Sequence, residues 1–305
     1  MNKIEFSVVI PLYNKEQEIK NTINSVLNQT YKADEIIVVN DGSTDNSLDV
    51  IQGFKGKIKI INQINQGETA SRNRGIKEAK NEYMCFIDAD DLWEDMFLDE
   101  IVSLIKDYPK AVFYSTSHKI IDEKGDIIYA KRPDYRGIIE DFSFTFSSYY
   151  GLLNSSSVCI KKSLDLKFPV GETKGGDLCM WLELSLKGKL AFSPKYLSVY
   201  KLDATNRSCA IHKEAVVPCP IKWFYKNKDK LILNQQYKSI KKFIYSNLFL
   251  TVYGGYGLSQ NHTSISAVIK LMKKNKDKFY ILLYPAYWMP IWFLNIVKNI
   301  RRALR

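Results

Sequence analysis

Three carboxylates follow an apolar run in the first third of the chain. Residues 83–87 form the run, and Asp88, Asp90 and Asp91 come directly after it. An apolar run bounded by charge predicts a buried strand, and open α/β sheets bind ligands at the carboxyl ends of their strands. Crowded carboxylates repel each other unless a cation lies among them, and Mg²⁺ and Mn²⁺ prefer oxygen ligands that include phosphates. The pattern indicates a metal and diphosphate site; the alternative is a solvated acidic turn before a helix near Trp93.

Two further polar segments are predicted to lie at the same edge of the sheet. Residues 6–11 and 35–39 predict buried strands, and they lead into the segments 11–14 and 41–45. Because the carboxyl ends of parallel strands meet at one edge, these segments should converge on residues 88–91. Asp41 would offer acceptors to a base and a ribose, while Asp90 would serve metal and phosphate. A Gly-x-Gly-x-x-Gly run follows none of the predicted strands, so the dinucleotide fingerprint is absent.

Apolar residues at helical spacing separate the predicted strands. Helices are expected over residues 16–29, after Ser43 or Thr44, and over residues 70–79, with a further strand at 57–61. Strands that alternate with helices are typical of a mostly parallel sheet covered on both faces. The sequence therefore predicts an α/β, Rossmann-like fold.

Positive charge is concentrated towards the C-terminal end. The 305 residues carry a net charge of +11; residues 211–305 hold 17 Lys and Arg against three Asp and Glu, which leaves 27 against 30 in the first 210. An acidic body without a nucleic-acid-binding module argues against nucleic acid as a partner. The five cysteines have no Cys-x-x-Cys spacing, so they indicate neither a disulfide framework nor a zinc site, and a reducing, cytosolic setting fits.

Five motifs in order and spacing make the chain resemble glycosyltransferase family 2. They are residues 8–14, 25–31, 35–45, 65–67 with 72–76, and 86–91, the last of which contains the DxD motif Asp88-Ala89-Asp90. The resemblance is dense over residues 6–107 and thins out to about residue 208. It implies a GT-A fold and the transfer of a sugar, with inversion at the anomeric carbon, from a nucleotide diphosphate sugar that is most commonly a uridine one.

The resemblance also implies a nucleotide and donor pocket. The residues at matching positions are Pro11, Tyr13, Asn14, Asp41, Arg74, Asp88 and Ala89. Asp41 would contact the base or ribose, and Asp88 the ribose or donor sugar. Arg72 and Arg74 match positions near the diphosphate, and Arg74 is the favoured one; a solvent-facing side of a helix is the alternative for both.

A divalent cation, Mn²⁺ or Mg²⁺, is a further implication of the resemblance. Asp90, the second Asp of the motif, would ligate it. Many family members complete the metal site with a later His, and this chain has Asp203 at that position. A carboxylate is a competent ligand for such a cation; the alternative is that Asp203 is a surface loop residue.

The family needs a general base on a later segment, where an acidic pair precedes a Trp. Here the pair is reduced to Asp177, four residues before Trp181. The chemistry requires a carboxylate that takes the proton of the acceptor hydroxyl as its oxygen attacks the anomeric carbon. The alternative is that Asp177 caps the helix predicted over residues 178–186, and the two roles are compatible.

The second half of the family's domain forms the acceptor site. Aromatic rings stack on sugar faces, and residues 142–154 are rich in aromatic and polar side chains. The candidate acceptor residues are Tyr149, Tyr150, Asn154 and Trp181. Ordinary core packing is the alternative for each aromatic residue.

The C-terminal segment predicts an association with a membrane surface. Residues 279–297 contain no charged residue and are flanked by Lys and Arg, but Pro285 and Pro290 interrupt them and they are dense in Tyr and Trp. This composition suits the headgroup boundary, where flanking basic residues attract anionic lipids. We expect a monotopic anchor on the cytoplasmic face of the cell membrane. The alternatives are a kinked spanning helix, a hairpin buried against the catalytic domain, and an interface in a homo-oligomer.

Together these features predict a catalytic domain at residues 1–210, with a nucleotide-binding half (1–107) and an acceptor half (108–210), and a helical, basic and aromatic extension at 211–305. The predicted activity is metal-dependent single displacement onto a glycan or lipid-linked acceptor in surface polysaccharide synthesis. A nucleotidyltransferase is one alternative, although the segment 11–14 is not the glycine-rich basic loop that such enzymes use. A non-catalytic, membrane-bound binder of sugar nucleotides is the other.

Overall fold

The computed structural model describes residues 3–149, 151–172, 175–202, 204, 217–253 and 262–285. The chain divides into two compact units. The first consists of Met1–Gly171 and Cys179–Arg207, and the second of Glu172–Leu178 and Ser208–Arg305.

The first unit is built on one mixed sheet. Its ten strands in the described residues are β1 (Phe6–Leu12), β2 (Glu35–Asn40), β3 (Lys59–Asn62), β4 (Tyr83–Phe86), β5 (Leu92–Trp93), β6 (Phe113–Ile121), β7 (Ile127–Tyr129), β8 (Gly137–Ile139), β9 (Val158–Lys161) and β10 (Leu190–Lys201). The strand order is β3-β2-β1-β4-β9-β6-β10-β5, with β7 beside β6 and β8 beside β10. Helices α1 (Ile19–Leu27), α2 (Ser47–Gln52), α3 (Glu68–Glu78), α4 (Phe97–Asp107) and α5 (Phe142–Ser148) connect them, and α6 (Gly176–Lys187) belongs to this unit from Cys179 onwards. The prediction of an α/β fold with a central sheet and flanking helices is confirmed.

Parallel pairing is confined to two parts of the sheet. Strands β1, β2, β3 and β4 pair in parallel, and so do β6 and β10. Strand β9 separates the two parts because it runs antiparallel to both β4 and β6. The predicted mostly parallel arrangement therefore describes the first half of the sheet, and the second half is mixed.

Strand β1 is buried along its whole length and runs on to Leu12, one residue beyond the predicted end at Pro11. The proline is tolerated because the pairing between β1 and β4 stops at Val9, opposite Phe86. Its missing N–H therefore falls beyond that ladder. The segment that follows Leu12 is thus delivered to the same edge as the end of β4.

Helix α3 packs closely on β1. A Cβ atom on Gly75 would lie only 2.2 Å from Cγ1 of Val9, so only glycine allows this approach. The helix presents Ser71, Arg72 and Gly75 to the interior. Close packing at Gly75 thereby fixes the side of the helix that faces the carboxyl ends of the strands.

The second unit contains helices α7 (Cys219–Ile232), α8 (Tyr237–Tyr253) and α9 (His262–Lys274), followed by the 3-10 helix Lys278–Leu283. Its aromatic packing centres on Phe224, which is fully buried and contacts the rings of Tyr225, Tyr237 and Tyr245. Over the described ranges, none of the helices is both long enough and apolar enough to cross a bilayer. The anchor predicted at residues 279–297 lies outside the described residues from position 286 onwards, and it stays a prediction.

Candidate functional site

The turn after β4 carries the three carboxylates, and Asp91 is the one that holds the turn in place. Its side chain is fully buried. The Ser156 hydroxyl donates to Oδ2 of Asp91 over 2.6 Å, and the backbone N–H of Lys201 donates to Oδ1 over 3.2 Å. Burial, together with the charges of Asp88 and Asp90, raises the pKa of Asp91 well above its ordinary value. Asp91 is therefore an internal support and not a ligand-facing group.

Ser156 connects this turn to the rest of the sheet. It lies in the 3-10 helix Ser155–Ser157, and its hydroxyl accepts the backbone N–H of Asp88 at 3.0 Å. Its carbonyl oxygen accepts the indole N–H of Trp93 at 2.6 Å. On the other side, the Thr22 hydroxyl lies 2.9 Å from the carbonyl oxygens of Ala89 and Asp91. The turn is thus held from both faces, which fixes the positions of Asp88 and Asp90.

Asp90 is paired with a lysine that the sequence patterns did not single out. The ammonium group of Lys15 lies 2.7 Å from Oδ2 of Asp90, and the side chains are 10% and 16% exposed respectively. Burial and the charge of Asp88 raise the pKa of Asp90, while the Lys15 ammonium opposes the shift. The signal that could have identified Lys15 is its place directly after the motif that ends in Asn14.

Asp88 is paired with Arg72. An Arg72 guanidinium nitrogen lies 2.6 Å from Oδ1 of Asp88, and the guanidinium group is centred 5.3 Å from the centre of the Phe168 ring. Arg74, the arginine that the sequence favoured, is 46% exposed and forms an ion pair with Glu78 at 3.2 Å. The structure thus brings Arg72, rather than Arg74, to the carboxylates.

The loop after β1 is tied to the loop after β2. Asn14 adopts a positive φ of 51°, a conformation that asparagine tolerates better than most residues. Its backbone N–H donates to the Ser43 hydroxyl at 3.1 Å, and its side-chain oxygen accepts the Thr44 N–H at 2.7 Å. Pro11 is buried and Tyr13 is 38% exposed. Asn14 therefore sets the distance between the two loops.

The carboxylate of Asp41 accepts hydrogen bonds from other groups of the chain. The residue is 2% exposed, and the donors are Nε2 of Gln63 at 2.7 Å and the backbone N–H groups of Gln66 and Gly67 at 2.9 and 2.8 Å. These contacts hold the turn that leads into α3. The sequence patterns did not single out Gln63, which lies just after β3. Contact between Asp41 and a nucleoside stays a prediction.

The carboxylates of Asp88 and Asp90 are of the ligand type that hard cations prefer. Both offer oxygen atoms, and the repulsion that contributes to the raised pKa of Asp90 is the kind that a cation relieves. Within the part of the chain that the structure describes, no group of three or more His, Cys, Asp or Glu side chains is arranged around a metal position. Asp203, the second predicted ligand, lies outside the described residues. Metal binding stays a prediction.

Asp177 lies in the first turn of α6, where its Oδ1 accepts the N–H of Leu178 at 2.8 Å. Trp181 is 2% exposed and its ring meets that of Phe168 edge-on at 5.8 Å, so it packs in the core and does not offer an open ring face. Tyr149, directly after α5, is half-buried.

Of the other two acceptor candidates, the structure describes Asn154 but not Tyr150. The Asn154 N–H donates to the Ser157 hydroxyl at 3.1 Å, which places Asn154 at the start of the 3-10 helix that supports the turn after β4. Tyr150 lies outside the described residues. The acceptor assignments therefore stay predictions.

Known proteins resemble this chain in sequence and in structure. The profile of the family described as "Glycosyl transferase family 2" matches residues 7–160. An uncharacterized glycosyltransferase of Rickettsia bellii (strain RML369-C) is 26% identical over 278 residues, which are 88% of this chain and 36% of that protein. The glycosyltransferase GlyA of Streptococcus pneumoniae serotype 4 is 27% identical over 216 residues, 65% of this chain and 30% of GlyA. The chain thus spans about a third of the length of these relatives.

Solved structures share the architecture. Residues 1–349 of S. aureus TarS in complex with UDP superpose with a TM-score of 0.67 at 18% identity, over 99% of this chain and 92% of that one. The same protein in complex with UDP-GlcNAc gives a TM-score of 0.67 at 17% identity, over 99% and 93% of the two chains. At this level of identity the likeness concerns the fold.

Proposed function

The chain belongs to glycosyl transferase family 2 and is a glycosyltransferase with a GT-A fold, and from that premise we propose that it is an inverting enzyme that uses a nucleotide diphosphate sugar. The observation that carries the proposal is the meeting of two carboxylates and two cations at the carboxyl ends of β1 and β4. Asp90 with Lys15 and Asp88 with Arg72 form alternating charges at one edge of the sheet. Such an edge is where open α/β sheets bind ligands.

The paired cations support a diphosphate as the group that binds there. Lysine is a side chain that proteins use for phosphate, and the Lys15 ammonium lies beside Asp90, the proposed ligand of the divalent cation. The buried Arg72 adds positive charge next to Asp88. The UDP and UDP-GlcNAc complexes of TarS support uridine as the nucleoside. We propose a UDP-linked donor, with Pro11, Tyr13 and Asn14 beside the nucleoside.

Asp90 would hold the divalent cation, together with Asp203. Bound there, Mn²⁺ or Mg²⁺ supplies positive charge that stabilises the leaving diphosphate. Lys15 occupies one Asp90 oxygen in this structure, and its ammonium group would turn from Asp90 towards the diphosphate when that ligand is present. Arg72 would hold Asp88 in position.

The proposed reaction is a single displacement with Asp177 as general base. Its carboxylate takes the proton of an acceptor hydroxyl while that oxygen forms the new bond to the anomeric carbon. The bond between the anomeric carbon and the diphosphate oxygen breaks on the opposite face, its electron pair leaves with the nucleoside diphosphate, and the configuration at carbon inverts. The acceptor would be a glycan or a lipid-linked glycan of a surface polysaccharide, which suits the predicted membrane association of residues 211–305.

A thermal-shift screen with UDP, GDP, CDP and dTDP, each with and without Mn²⁺, tests the proposal. A ligand that binds only the folded state raises the melting temperature. We expect a shift for UDP that needs Mn²⁺ and is lost in Asp90→Ala. When a UDP-sugar and an acceptor are supplied together, we expect the sugar to pass to the acceptor and UDP to be released. A shift with UDP that is the same without Mn²⁺ would remove the metal from the proposal. Release of pyrophosphate from a nucleoside triphosphate would contradict sugar transfer.

A further inference from the structure

A cleft in the second unit is lined by four lysines and lies outside the donor site. Its volume is about 380 Å³, and the residues that line it are Lys228, Tyr237, Lys241, Tyr245, Lys276, Asp277, Lys278 and Phe279. They come from α7, from α8 and from the segment that follows α9. A cleft of this size is within the range of small-ligand sites in proteins.

The single carboxylate of the cleft is used by other groups. Oδ2 of Asp277 accepts the hydroxyl hydrogens of Tyr225, at 2.8 Å, and of Tyr245, while Oδ1 accepts the N–H of Phe279 at 3.0 Å. Burial alone raises the pKa of Asp277, but the hydrogen bonds from Tyr245, Phe279 and Tyr225 outweigh it and hold this pKa below its ordinary value. Groups of the protein itself therefore favour the ionised form of Asp277.

The four ammonium groups, in contrast, share this one carboxylate of the lining, and the charge of Lys241 also helps to lower the pKa of Asp277. Among the described residues, none of the four lysines forms an ion pair with a carboxylate. Four positive charges thus surround one negative charge in a concave site, where field lines are focused and anions are attracted. A ligand with one carboxylate group would need only one of these lysines. A ligand with a phosphate group presents more negative charge and more acceptor oxygens.

Aromatic rings provide the rest of the wall. The Lys241 ammonium lies 5.5 Å from the centre of the Tyr245 ring and 6.0 Å from that of Tyr237, and the Tyr245 ring is stacked on Phe279 at 4.3 Å. Cation–π contacts of this kind orient an ammonium group without neutralising it. These rings supply the apolar part of the lining, beside which a sugar or polyol attached to the phosphate would lie.

We propose that this cleft binds an organic phosphate, with the phosphate on the lysines and the attached glycerol, polyol or sugar on the aromatic wall. A phospholipid headgroup and a soluble phosphorylated polyol or sugar share this chemistry. The proposal does not depend on the donor chemistry at Asp90, because all lining residues belong to the second unit.

Two double variants of the full-length chain test the proposal. Lys228→Gln with Lys241→Gln removes two charges from the cleft, and Lys226→Gln with Lys242→Gln removes two exposed charges from the same two helices, outside the lining. The probes are glycerol 1-phosphate in isothermal titration calorimetry, and phosphatidylcholine vesicles with and without phosphatidylglycerol in flotation. Far-UV circular dichroism and the melting temperature check that each variant is folded.

We expect wild type to bind, the cleft variant to lose about 30-fold in affinity at about 1 kcal/mol per lysine, and the control variant to lose much less. If glycerol 1-phosphate binds and displaces the protein from the vesicles, the cleft accepts this phosphate whether it is free or in a headgroup. If the protein binds only to vesicles that contain phosphatidylglycerol, the ligand is the lipid. Equal losses in the two double variants would mean diffuse attraction and would overturn the proposal, as would the failure of wild type to bind either probe. Lys241→Arg keeps the charge and should retain binding if the cleft variant fails to fold.

Discussion

The ammonium group of Lys15 lies 2.7 Å from Oδ2 of Asp90, and it joins the loop after β1 to the turn after β4. Both side chains are largely buried, at 10% and 16% exposed, so neither charge is well solvated without the other. Asp88, two residues away, carries a second negative charge that is paired with Arg72. The edge of the sheet at the carboxyl ends of β1 and β4 is therefore held in shape by ion pairs within the protein.

Lys15→Met should destabilise the protein by about 2 kcal/mol, because Asp90 is left partly buried beside Asp88 without its counter-ion. Urea denaturation at neutral pH measures the loss. Lys20→Met is the matched control, since Lys20 is an exposed residue of α1, and it should change stability by less than about 0.5 kcal/mol. The Mn²⁺-dependent shift with UDP should also weaken in Lys15→Met; an unchanged shift would mean that Lys15 does not reach the diphosphate.

Arg72→Gln and Arg74→Gln should differ strongly. The Arg72 side chain is 2% exposed and pairs with both Glu68 and Asp88, so its loss removes the counter-ion of two carboxylates and should cost about 3 kcal/mol. Arg74 is exposed and makes a pair with Glu78 one turn along the helix, a contact that contributes less than about 0.5 kcal/mol. Denaturation of the two variants side by side measures both. Equal losses would contradict the assignment of Arg72 as the interior arginine.

Asp177→Asn should reduce sugar transfer by about 10³-fold, the range expected for loss of a general base. Donor binding should stay close to the wild-type value, because the proposed role concerns the acceptor proton. Rates of UDP release in the presence of acceptor and thermal shifts with UDP separate the two effects. Substantial turnover in the variant would assign the proton transfer to another group.

His118 should make the protein less stable in mild acid. It lies on β6, and burial lowers its pKa from 6.5 to about 4. Because the folded-state pKa is the lower one, the unfolded chain binds the proton first, so this contribution is fully present above pH 6.5 and is lost as the pH falls towards 4. The shift corresponds to about 3 kcal/mol.

Urea denaturation of wild type and His118→Phe at pH 7.5 and at pH 4.5 checks this. Carboxylates titrate in both proteins, so the difference between the two pH dependences isolates the histidine. The variant should lose less stability on acidification than wild type. The same loss in both proteins would show that His118 is protonated in the folded state at a higher pH.

Gly75→Ala should destabilise the protein by about 3 kcal/mol, since the new methyl group would lie 2.2 Å from Cγ1 of Val9. Lys77→Ala, at an exposed position of the same helix, is the control and should be close to neutral. Val9→Ala combined with Gly75→Ala should recover part of the loss. An additive double variant would mean that the helix shifts away from β1 and that Val9 is not the obstacle.

The half of the sheet formed by β1 to β4 was predictable because its signals are local. The strand predicted at residues 35–39 is observed as Glu35–Asn40, and the loops after β1, β2 and β4 meet as the parallel pairing requires. What could not be predicted depends on distant partners. Asp88, Asp90 and Asp91 are chemically identical in the sequence, and it is Ser156 and Lys201, 65 and 110 residues beyond Asp91, that make Asp91 the internal one.

The side of α3 that packs on the sheet was predictable in part. Ser71 and Gly75 are small residues four positions apart, which marks the packed side of the helix and places Arg72 rather than Arg74 near it. The insertion of β9 between β4 and β6 had no local signal, because antiparallel pairing over more than 70 residues is set by the whole sheet. The pair of Lys15 and Asp90 likewise depends on two loops 75 residues apart.

Ser156 and Lys201 have a consequence for how enzymes of this kind can be recombined. Both groups hold Asp91, yet they belong to strands and helices that follow residue 108, whereas Asp91 precedes it. A chimera that joins the first 107 residues to the later part of another family member must therefore supply a hydroxyl and a backbone N–H at these two places. Without them the turn after β4 is left with the buried carboxylate of Asp91 and neither of these two hydrogen-bond donors. Such chimeras should fold only when both parent proteins have the Ser156 hydroxyl and the Lys201 N–H at equivalent positions, whichever sugar each parent transfers.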